Sequence, residues 1–385
     1  MDLGLSEDQR LLKDSVERFM GNEYAFDARR ALMGSDDGFS REMWAKFAGL
    51  GWLGVAIPAD HGGLDGTPVE TMIVMQAFGR GLVVEPFVST VVLGGTLVTQ
   101  GGGEAQRQAL LPALAQGKLL LAFAFAEPQS RYNLADVASV ARKDGRGFVL
   151  DGHKAVVFHA DSADKIIVSA RTGGATREPD GISLFLVDAG ADGLGLRPYP
   201  TVDGLRAAEV TLERVRVDAD AALGPIDGGL ALIERAVDHG IAAVCAEAVG
   251  IMAALLAATQ DYVKTRKQFG VPIGSFQVLQ HRLVDMFMEH ELSKSLAHIA
   301  AAGVSDPDPR ARARAVSAAK ARIGKAGRFI GQQAIQLHGG MGMTDELPVG
   351  HYFKRLTMID TLFGDADHHL RRFAELDTDA GDAED

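Results

Sequence analysis

The stretch Arg266-Lys267-Gln268-Phe269-Gly270 ends a long apolar helical pattern and combines a cation, an amide, an aromatic ring and a glycine. Arginine offers a planar fork of donors that matches phosphate oxygens, and phenylalanine offers a face on which a ring can pack. Further along, Gln336-Leu337-His338-Gly339-Gly340 adds a second amide and two glycines, which let the backbone approach a ligand closely. Together the two stretches are typical of a site for a ligand with phosphate groups and rings.

The bulk composition limits the class of protein. A chain of 385 residues predicts two or three domains, and 47% apolar with 23% charged residues is typical of a globular protein. The net charge of -12 argues against a nucleic-acid partner. A single cysteine, Cys245, fits a reducing cytosol, and Asp2, Glu7 and Asp8 stand where a signal peptide is basic and then apolar. We therefore expect a cytoplasmic protein.

The pattern along the chain changes twice. Ser6 and Gln9 form a capping box before an amphipathic helical spacing, and helical patterns continue to about residue 118. Short β-rich segments follow, and long helical patterns then return from about Gly228. The predicted divisions are an N-terminal helical domain, a β domain, a C-terminal helical bundle and an acidic tail, at residues 1–118, 119–225, 226–378 and 379–385.

The β-rich part predicts a small barrel or sandwich. Dipeptides such as Asp144-Gly145, Asp151-Gly152 and Asp180-Gly181 separate many of its strands as turns. The predicted strands are Leu120–Glu127, Ala135–Arg142, Gly147–Asp151, Lys154–His159, Lys165–Arg171, Ile182–Val187 and Glu209–Val217.

One apolar segment, Ile241–Ala258, needs a comparison with membrane spans. It is 18 residues long, alanine-rich, and contains Glu247. A spanning helix needs about 20 strongly apolar residues. We interpret the segment as a helix buried on several sides and expect no membrane partner.

The order of helices, short strands and long helices, with the two glycine-bearing stretches, resembles the acyl-CoA dehydrogenase family over essentially the whole chain. The resemblance implies an α+β multidomain fold. Its parts are an N-terminal helical domain, a small antiparallel β-barrel in the middle and a C-terminal four-helix bundle. It also implies FAD as the cofactor and α,β-dehydrogenation of an acyl-CoA thioester to the 2-enoyl-CoA.

The resemblance implies two groups of FAD contacts. In the family, residues of the two glycine-bearing stretches contact FAD that is bound mainly to an adjacent protomer. The corresponding residues here are Arg266, Gln268, Phe269, Gln336, Leu337 and Gly340. The positions on the flavin-ring side are Phe125, Ala126, Phe158, Asp365 and Asp367. This second group departs from the family at two positions. Ala126 stands where the family usually has a threonine before Glu-Pro, and Phe158 stands where it usually has the threonine of a Trp-Ile-Thr motif. No metal site is expected.

The family's catalytic base is missing from both of its usual places. One place is a glutamate in a Tyr-Glu-Gly-Thr loop; here the loop reads Leu362-Phe363-Gly364-Asp365, and Phe363 cannot take a proton. The other place falls on Gly240. Asp238 stands where the family often has an aspartate near the CoA chain, so Asp238 and Gly240 are the implied substrate-binding positions.

Three carboxylates are candidate substitutes. Glu247 lies seven residues after Gly240, on the same helix face and about 10 Å along the axis. A lone carboxylate in so apolar a helix is costly unless it is paired or functional, so the alternative role is an ion pair with an arginine of a neighbouring helix. Asp365 and Asp367 flank the lost glutamate, and their alternatives are loop capping or a contact to the flavin.

The mixed pattern is similar to the small-subunit type of bacterial heteromeric acyl-CoA dehydrogenases, of the pimeloyl-CoA or sterol side-chain type. In such pairs one chain supplies the base and the flavin-ring pocket, and the other lends pyrophosphate and adenosine contacts. The resemblance therefore leaves two alternatives open: a homo- or heterotetrameric enzyme of fatty acid or sterol catabolism, or a non-catalytic partner subunit. It implies an acyl-CoA substrate and an electron-transferring flavoprotein as partner.

Overall fold

The computed structural model describes residues 4–381, with side chains described through residue 376. The predicted acidic tail, 379–385, therefore lies outside the described side chains. The chain forms two compact units. Among the described residues, the helical unit comprises 4–31, Pro68–Val83 and 241–381, and the sheet unit comprises Leu32–Thr67 and Val84–Gly240. The predicted domains follow chain order whereas the units follow packing, so the domain boundaries stay a prediction.

Several helices begin at residues with a clear local reason. Ser6 and Gln9 form the predicted capping box of the first helix. Asp308 precedes the helix that begins at Pro309, and its side chain accepts from the backbone N–H groups of Arg310 and Ala311. The helices are α1 (Glu7–Glu23), α2 (Phe26–Met33), α3 (Arg41–Gly49), α4 (Pro68–Gly81), α5 (Gly95–Gly101), α6 (Glu104–Ala115), α7 (Leu230–Thr265), α8 (Gln277–Gly303), α9 (Pro309–His338), α10 (Pro348–Thr361) and α11 (Ala366–Gly381). A π-helix, Val88–Gly94, precedes α5.

In the helical unit, α8, α10 and α11 each pack against α9, and α1 packs against α4. Glycine allows α4 and α7 to approach closely. A Cβ at Gly250 would lie 1.9 Å from the Gln76 carbonyl oxygen, and one at Gly79 would lie 2.1 Å from that of Glu247. The side chain at either position must therefore be hydrogen.

In the sheet unit, eight strands form one sheet in the order β6-β7-β3-β2-β4-β5-β8, with β1 beside β4. The strands are β1 (Leu121–Ala124), β2 (Val140–Asp144), β3 (Gly147–Phe158), β4 (Lys165–Arg171), β5 (Ile182–Asp188), β6 (Leu194–Pro200), β7 (Arg206–Asp218) and β8 (Ala222–Leu223). The predicted fold class is confirmed, but the sheet is mixed rather than wholly antiparallel, because β1 and β2 each pair with β4 in parallel.

Two strand predictions need correction. Asp151-Gly152 is not a turn, because β3 continues through it; a Cβ at Gly152 would lie 2.2 Å from Ser139 Oγ, so this glycine permits close packing instead. β6 was missed because it contains Pro198 and Pro200. It lies at the edge of the sheet, where a missing N–H breaks no ladder.

The apolar segment interpreted as a buried helix forms the middle of α7. By length and composition this helix is long and apolar enough to cross a membrane. However, 78% of its most apolar 18-residue stretch is buried inside the protein. The burial agrees with the interpretation of a core helix.

Candidate cofactor and catalytic site

The first glycine-bearing stretch forms a small hairpin directly after α7. Lys267–Gln268 pairs antiparallel with Val271–Pro272, and Phe269 and Gly270 make the two-residue turn with φ of +55° and +81°. Positive φ at both central positions is the mark of a tight hairpin turn. Sequence reasoning missed the hairpin because strands of two residues leave no periodic signal.

The hairpin presents its functional groups to solvent. The Phe269 side chain is 92% exposed. Its backbone is in the left-handed conformation, which costs about 1–2 kcal/mol for a residue with a side chain. Within the described part of the chain, the Arg266 guanidinium has no ion pair, while its backbone N–H donates to the Tyr262 carbonyl oxygen at 2.8 Å. A guanidinium without an ion pair, three residues before an exposed ring on a strained backbone, fits a site for an anionic ligand that carries a ring.

The second glycine-bearing stretch lies where α9 ends. α9 runs to His338, and a 3₁₀ turn, Gly339–Met343, follows. Gln336 is exposed, whereas Leu337 is buried, so a ligand contact from Leu337 would come from its backbone. A Cβ at Gly340 would meet no atom within 4 Å, which leaves its backbone open to a ligand.

In the sheet unit, Phe125 and Ala126 follow β1, and Phe158 ends β3. All three are half-buried. The Ala155 N–H donates to the Ala126 carbonyl oxygen at 2.9 Å, which joins the end of β1 to β3. Val156, a β-branched residue with φ of +54°, lies in the register shift between β3 and β7. This local strain at the end of β3 is of the kind found at functional sites.

A buried ion pair that sequence reasoning missed supports this end of the sheet. Lys154 Nζ, fully buried, donates to Glu127 Oε1 at 2.6 Å and to Ser169 Oγ at 2.9 Å. Burial raises the pKa of Glu127, but the Lys154 charge and the hydrogen bonds outweigh it and lower that pKa to about 2. Burial lowers the pKa of Lys154 to about 8. The signal in the sequence was a lysine followed by the apolar run Ala155–Phe158 in a predicted strand.

Glu247 lies in the interior of the helical unit as the partner of an arginine. Arg355 of α10 donates from Nε to Oε1 at 2.6 Å and from Nη2 to Oε2 at 2.7 Å. Both side chains are only 6% exposed. The structure therefore shows the ion pair that was the alternative to catalysis, and both carboxylate oxygens are occupied by one guanidinium.

The loop in which the family carries its base is a strained and anchored turn. Phe363 and Gly364 have φ of +59° and +115°. Lys320 Nζ donates to the Asp360 carbonyl oxygen at 2.9 Å and to that of Gly364 at 2.6 Å. His369 Nε2 donates to the Phe363 carbonyl oxygen at 3.0 Å. The backbone of the turn is thus fixed from two sides, while the side chain at its centre is phenylalanine.

The remaining candidates differ in their surroundings. Asp365 Oδ1 accepts from the His368 N–H at 2.8 Å, so this residue caps α11 as its alternative role predicted. Asp367 is exposed in the first turn of α11. Asp238 and Gly240 are buried in α7. Across residues 4–376, no group of three His, Cys, Asp or Glu side chains could hold a metal ion.

Comparison with known proteins identifies the family. Three family models match in chain order: the acyl-CoA dehydrogenase N-terminal domain over residues 6–118, the middle domain over 122–215 and the C-terminal domain over 227–376. The chain belongs to the acyl-CoA dehydrogenase family. It is therefore an FAD-dependent enzyme of acyl-CoA dehydrogenation.

Similar acyl-CoA dehydrogenases cover nearly the whole chain. FadE12 of Mycobacterium tuberculosis is 32% identical over 352 residues, 89% of each chain. The probable acyl-CoA dehydrogenase YngJ of Bacillus subtilis is 32% identical over 91% of this chain and 92% of its own. Among solved structures, the Tcur3481-Tcur3483 steroid ACAD is 30% identical with a TM-score of 0.88, covering 99% of both chains. The ChsE4-ChsE5 complex from Mycobacterium tuberculosis is 26% identical with a TM-score of 0.87, covering 97% of this chain and 98% of that one.

The residues present fit FAD at the phosphate and adenosine end more fully than at the ring end. The unpaired Arg266 guanidinium, the exposed Phe269 ring and the open backbone of Gly340 are suited to a dinucleotide. At the ring end, Ala126 has no side-chain donor for a flavin atom. The FAD site of this acyl-CoA dehydrogenase therefore has donors at the phosphate and adenosine end and fewer donors at the flavin-ring end.

Proposed function

We propose that this acyl-CoA dehydrogenase acts as one subunit of a heteromer. In this assembly it lends FAD contacts at the pyrophosphate and adenosine end, and a related chain supplies the base. The observation that carries the proposal is the Glu247–Arg355 ion pair, because it occupies the carboxylate that was the main substitute for the missing base.

The chemistry requires a carboxylate that is free to accept the α-proton of the thioester. Phe363 and Gly240 offer none at the family's two positions. Asp365 uses one oxygen to cap α11, and Asp367 lies in solvent rather than in the dry surroundings that raise a carboxylate pKa toward neutrality. These surroundings favour a base on another chain.

The cofactor contacts follow from the exposed groups. Arg266 would bind the pyrophosphate through its guanidinium fork, Gln268 would donate from its amide, and Phe269 would pack on a ring. Gln336 and Gly340 would bind the adenosine side, with Leu337 contributing backbone. Phe125, Ala126 and Phe158, with Asp365 and Asp367, remain the proposed ring-side positions, and Asp238 and Gly240 the substrate side. FAD bound there would supply the acceptor for the hydride from the β-carbon.

An exposed apolar face on α8 supports the assembly. Its members are spaced along one helix and are 38–62% exposed: Val278, Val284, Phe287, Met288, Leu292 and Ile299. Large exposed apolar surfaces are typical of protein interfaces. We propose that the related subunit covers this face in a tetramer.

Two of the similar solved structures are named as pairs of proteins, Tcur3481-Tcur3483 and ChsE4-ChsE5, and the first is named a steroid ACAD. These names support a heteromer and a bulky acyl group, such as a steroid side chain, as the substrate class for this chain. An electron-transferring flavoprotein is the proposed electron acceptor.

The test is co-expression with a relative that carries glutamate at the position of Phe363. The chain alone is expected to hold little flavin and to turn over no acyl-CoA, whereas the co-purified complex is yellow and is bleached by a steroid side-chain acyl-CoA. Arg266→Ala should lower the flavin content of the complex, and the neighbouring Lys264→Ala should leave it unchanged. A chain that is yellow and shows steady turnover on its own would overturn the proposal.

A further inference from the structure

We propose that Tyr262 and His338 form a stacked pair that positions the two FAD-binding stretches relative to each other. The inference rests on the proposed role of Arg266 and Gln336 toward FAD. Neither Tyr262 nor His338 is among the proposed ligands. They act as positioning residues, through the backbone that carries those ligands.

The pair connects the ends of two long helices. The ring centroids are 4.4 Å apart with an interplanar angle of 28°, a stacked arrangement. Tyr262 lies in the last turn of α7, and its carbonyl oxygen accepts the Arg266 N–H at 2.8 Å. His338 is the last residue of α9, two positions after Gln336. Each ring therefore lies within one turn of a proposed ligand.

The hydrogen bonding of His338 fixes its ring. Nδ1 donates to the Ala334 carbonyl oxygen at 2.8 Å, which assigns the proton to Nδ1. The side chain is only 5% exposed, and burial lowers the pKa of His338. A neutral, anchored imidazole is a flat partner for the Tyr262 ring.

The 3₁₀ turn after α9 folds over the same histidine. A Cβ at Gly342 would lie 3.0 Å from His338 Cβ and 3.0 Å from the Ile335 carbonyl oxygen. The backbone of the turn therefore packs directly on His338, with Gly340 on its open side. A shift of the imidazole would move the turn, and loss of the Tyr262 ring would release the imidazole on one side.

The expected effect concerns FAD affinity rather than folding. An aromatic pair contributes up to about 1.4 kcal/mol beyond its buried area, and that free energy corresponds to a tenfold change in affinity. Tyr262→Leu and His338→Leu should each raise the dissociation constant for FAD by roughly twofold to tenfold. Tyr262→Phe keeps the ring and should leave the affinity unchanged.

The experiment is an FAD titration of the full-length protein, deflavinated together with any subunit that co-purifies, by quenching of flavin fluorescence. The melting temperature of each deflavinated variant is measured in parallel. Phe373→Leu is the matched control: it removes the ring that faces the Arg314 guanidinium, at the other end of α9. It should lower the melting temperature without weakening FAD binding.

Coupling between the two rings gives a second criterion. The double variant Tyr262→Leu, His338→Leu should bind FAD no more weakly than either single variant, because the stack is already lost. Additive losses, or unchanged affinity in Tyr262→Leu, would overturn the inference.

Arg266→Ala separates the two proposals. If it weakens FAD binding while the stack variants do not, only this inference fails. If Arg266→Ala has no effect, the proposed cofactor role fails and this inference with it.

Discussion

At the scale of single residues, Glu247 shows how a tertiary partner changes the meaning of a side chain. An ionised carboxylate inside an apolar helix has a large desolvation cost. Arg355 offsets this cost with two hydrogen bonds from a position 108 residues away in the chain. Removing one member of such a pair leaves an uncompensated buried charge.

Glu247→Gln is therefore expected to lower the free energy of unfolding by about 3–5 kcal/mol. Its activity per bound flavin in the assembled enzyme should stay close to that of the wild type, since both family base positions are elsewhere. Urea unfolding measures the first quantity, and acyl-CoA turnover normalised to flavin measures the second.

Replacement of both partners is the control for this variant. Glu247→Met with Arg355→Met should recover most of the lost stability, because apolar groups of similar size can replace a buried pair at little cost. A Glu247→Gln protein that is as stable as the wild type but inactive would instead assign the base to Glu247.

The sequence predicted the two alternatives for Glu247 but not the outcome. It showed an acidic residue in an apolar helix, which requires either a partner or a function. The choice depended on whether α10 places an arginine beside it, and no periodicity within α7 carries that information. The Lys154–Glu127 pair escaped prediction for the same reason, since its members come from different parts of the sheet unit.

At the scale of elements, the turn between α10 and α11 is fixed by buried donors. His369 is fully buried, donates to the Phe363 carbonyl oxygen, and lies within hydrogen-bond distance of Ser317 Oγ. Burial, reinforced by the charges of Lys320 and Arg372 and by His368, lowers the pKa of His369 from 6.5 to about 2. The folded protein therefore keeps this imidazole neutral.

This shift predicts a pH dependence of stability. The unfolded chain binds a proton at His369 below about pH 6.5, whereas the folded chain does not. The contribution of His369 to the free energy of unfolding is therefore fully present above that pH and is lost as the pH falls toward 2. The contribution of this one group should be about 2 kcal/mol between pH 7.5 and pH 5. Urea unfolding of the wild type and of His369→Gln at both pH values measures this contribution as the difference between their changes in the free energy of unfolding.

His281→Gln, a change at an exposed histidine of α8, is the control. It should keep the wild-type slope of stability against pH. The same slope in His369→Gln as in the wild type would show that the buried imidazole is not the group responsible.

Elements with a strong local pattern were predicted well, and those defined by packing were not. The capping box at Ser6 and most strands follow from local residue types. The hairpin after α7 and the edge strand β6 do not. Their residues become strands only because another segment of backbone pairs with them.

At the scale of the whole molecule, the exposed face of α8 is expected to determine the assembly. Phe287 is 50% exposed and lies in the middle of this face. Burying such a side chain contributes about 1.5–3 kcal/mol, so placing a charge there should weaken association by roughly tenfold or more.

Phe287→Glu should therefore shift the purified protein to smaller species in size-exclusion chromatography with light scattering. Leu11→Glu changes a leucine that is 63% exposed on α1, outside the α8 face, and should leave the mass unchanged. An unchanged mass for Phe287→Glu would remove α8 from the interface.

The sequence by itself determined the family, the fold class and the cofactor, because Arg266–Gly270 and Gln336–Gly340 are short, local patterns whose chemistry does not depend on distant residues. It also determined that the usual bases are missing at Phe363 and Gly240. Only the tertiary structure decided that Glu247 is paired, that the 362–365 turn is anchored and that Tyr262 meets His338. These outcomes join residues far apart in the chain, and only the packing of whole helices brings such residues into contact.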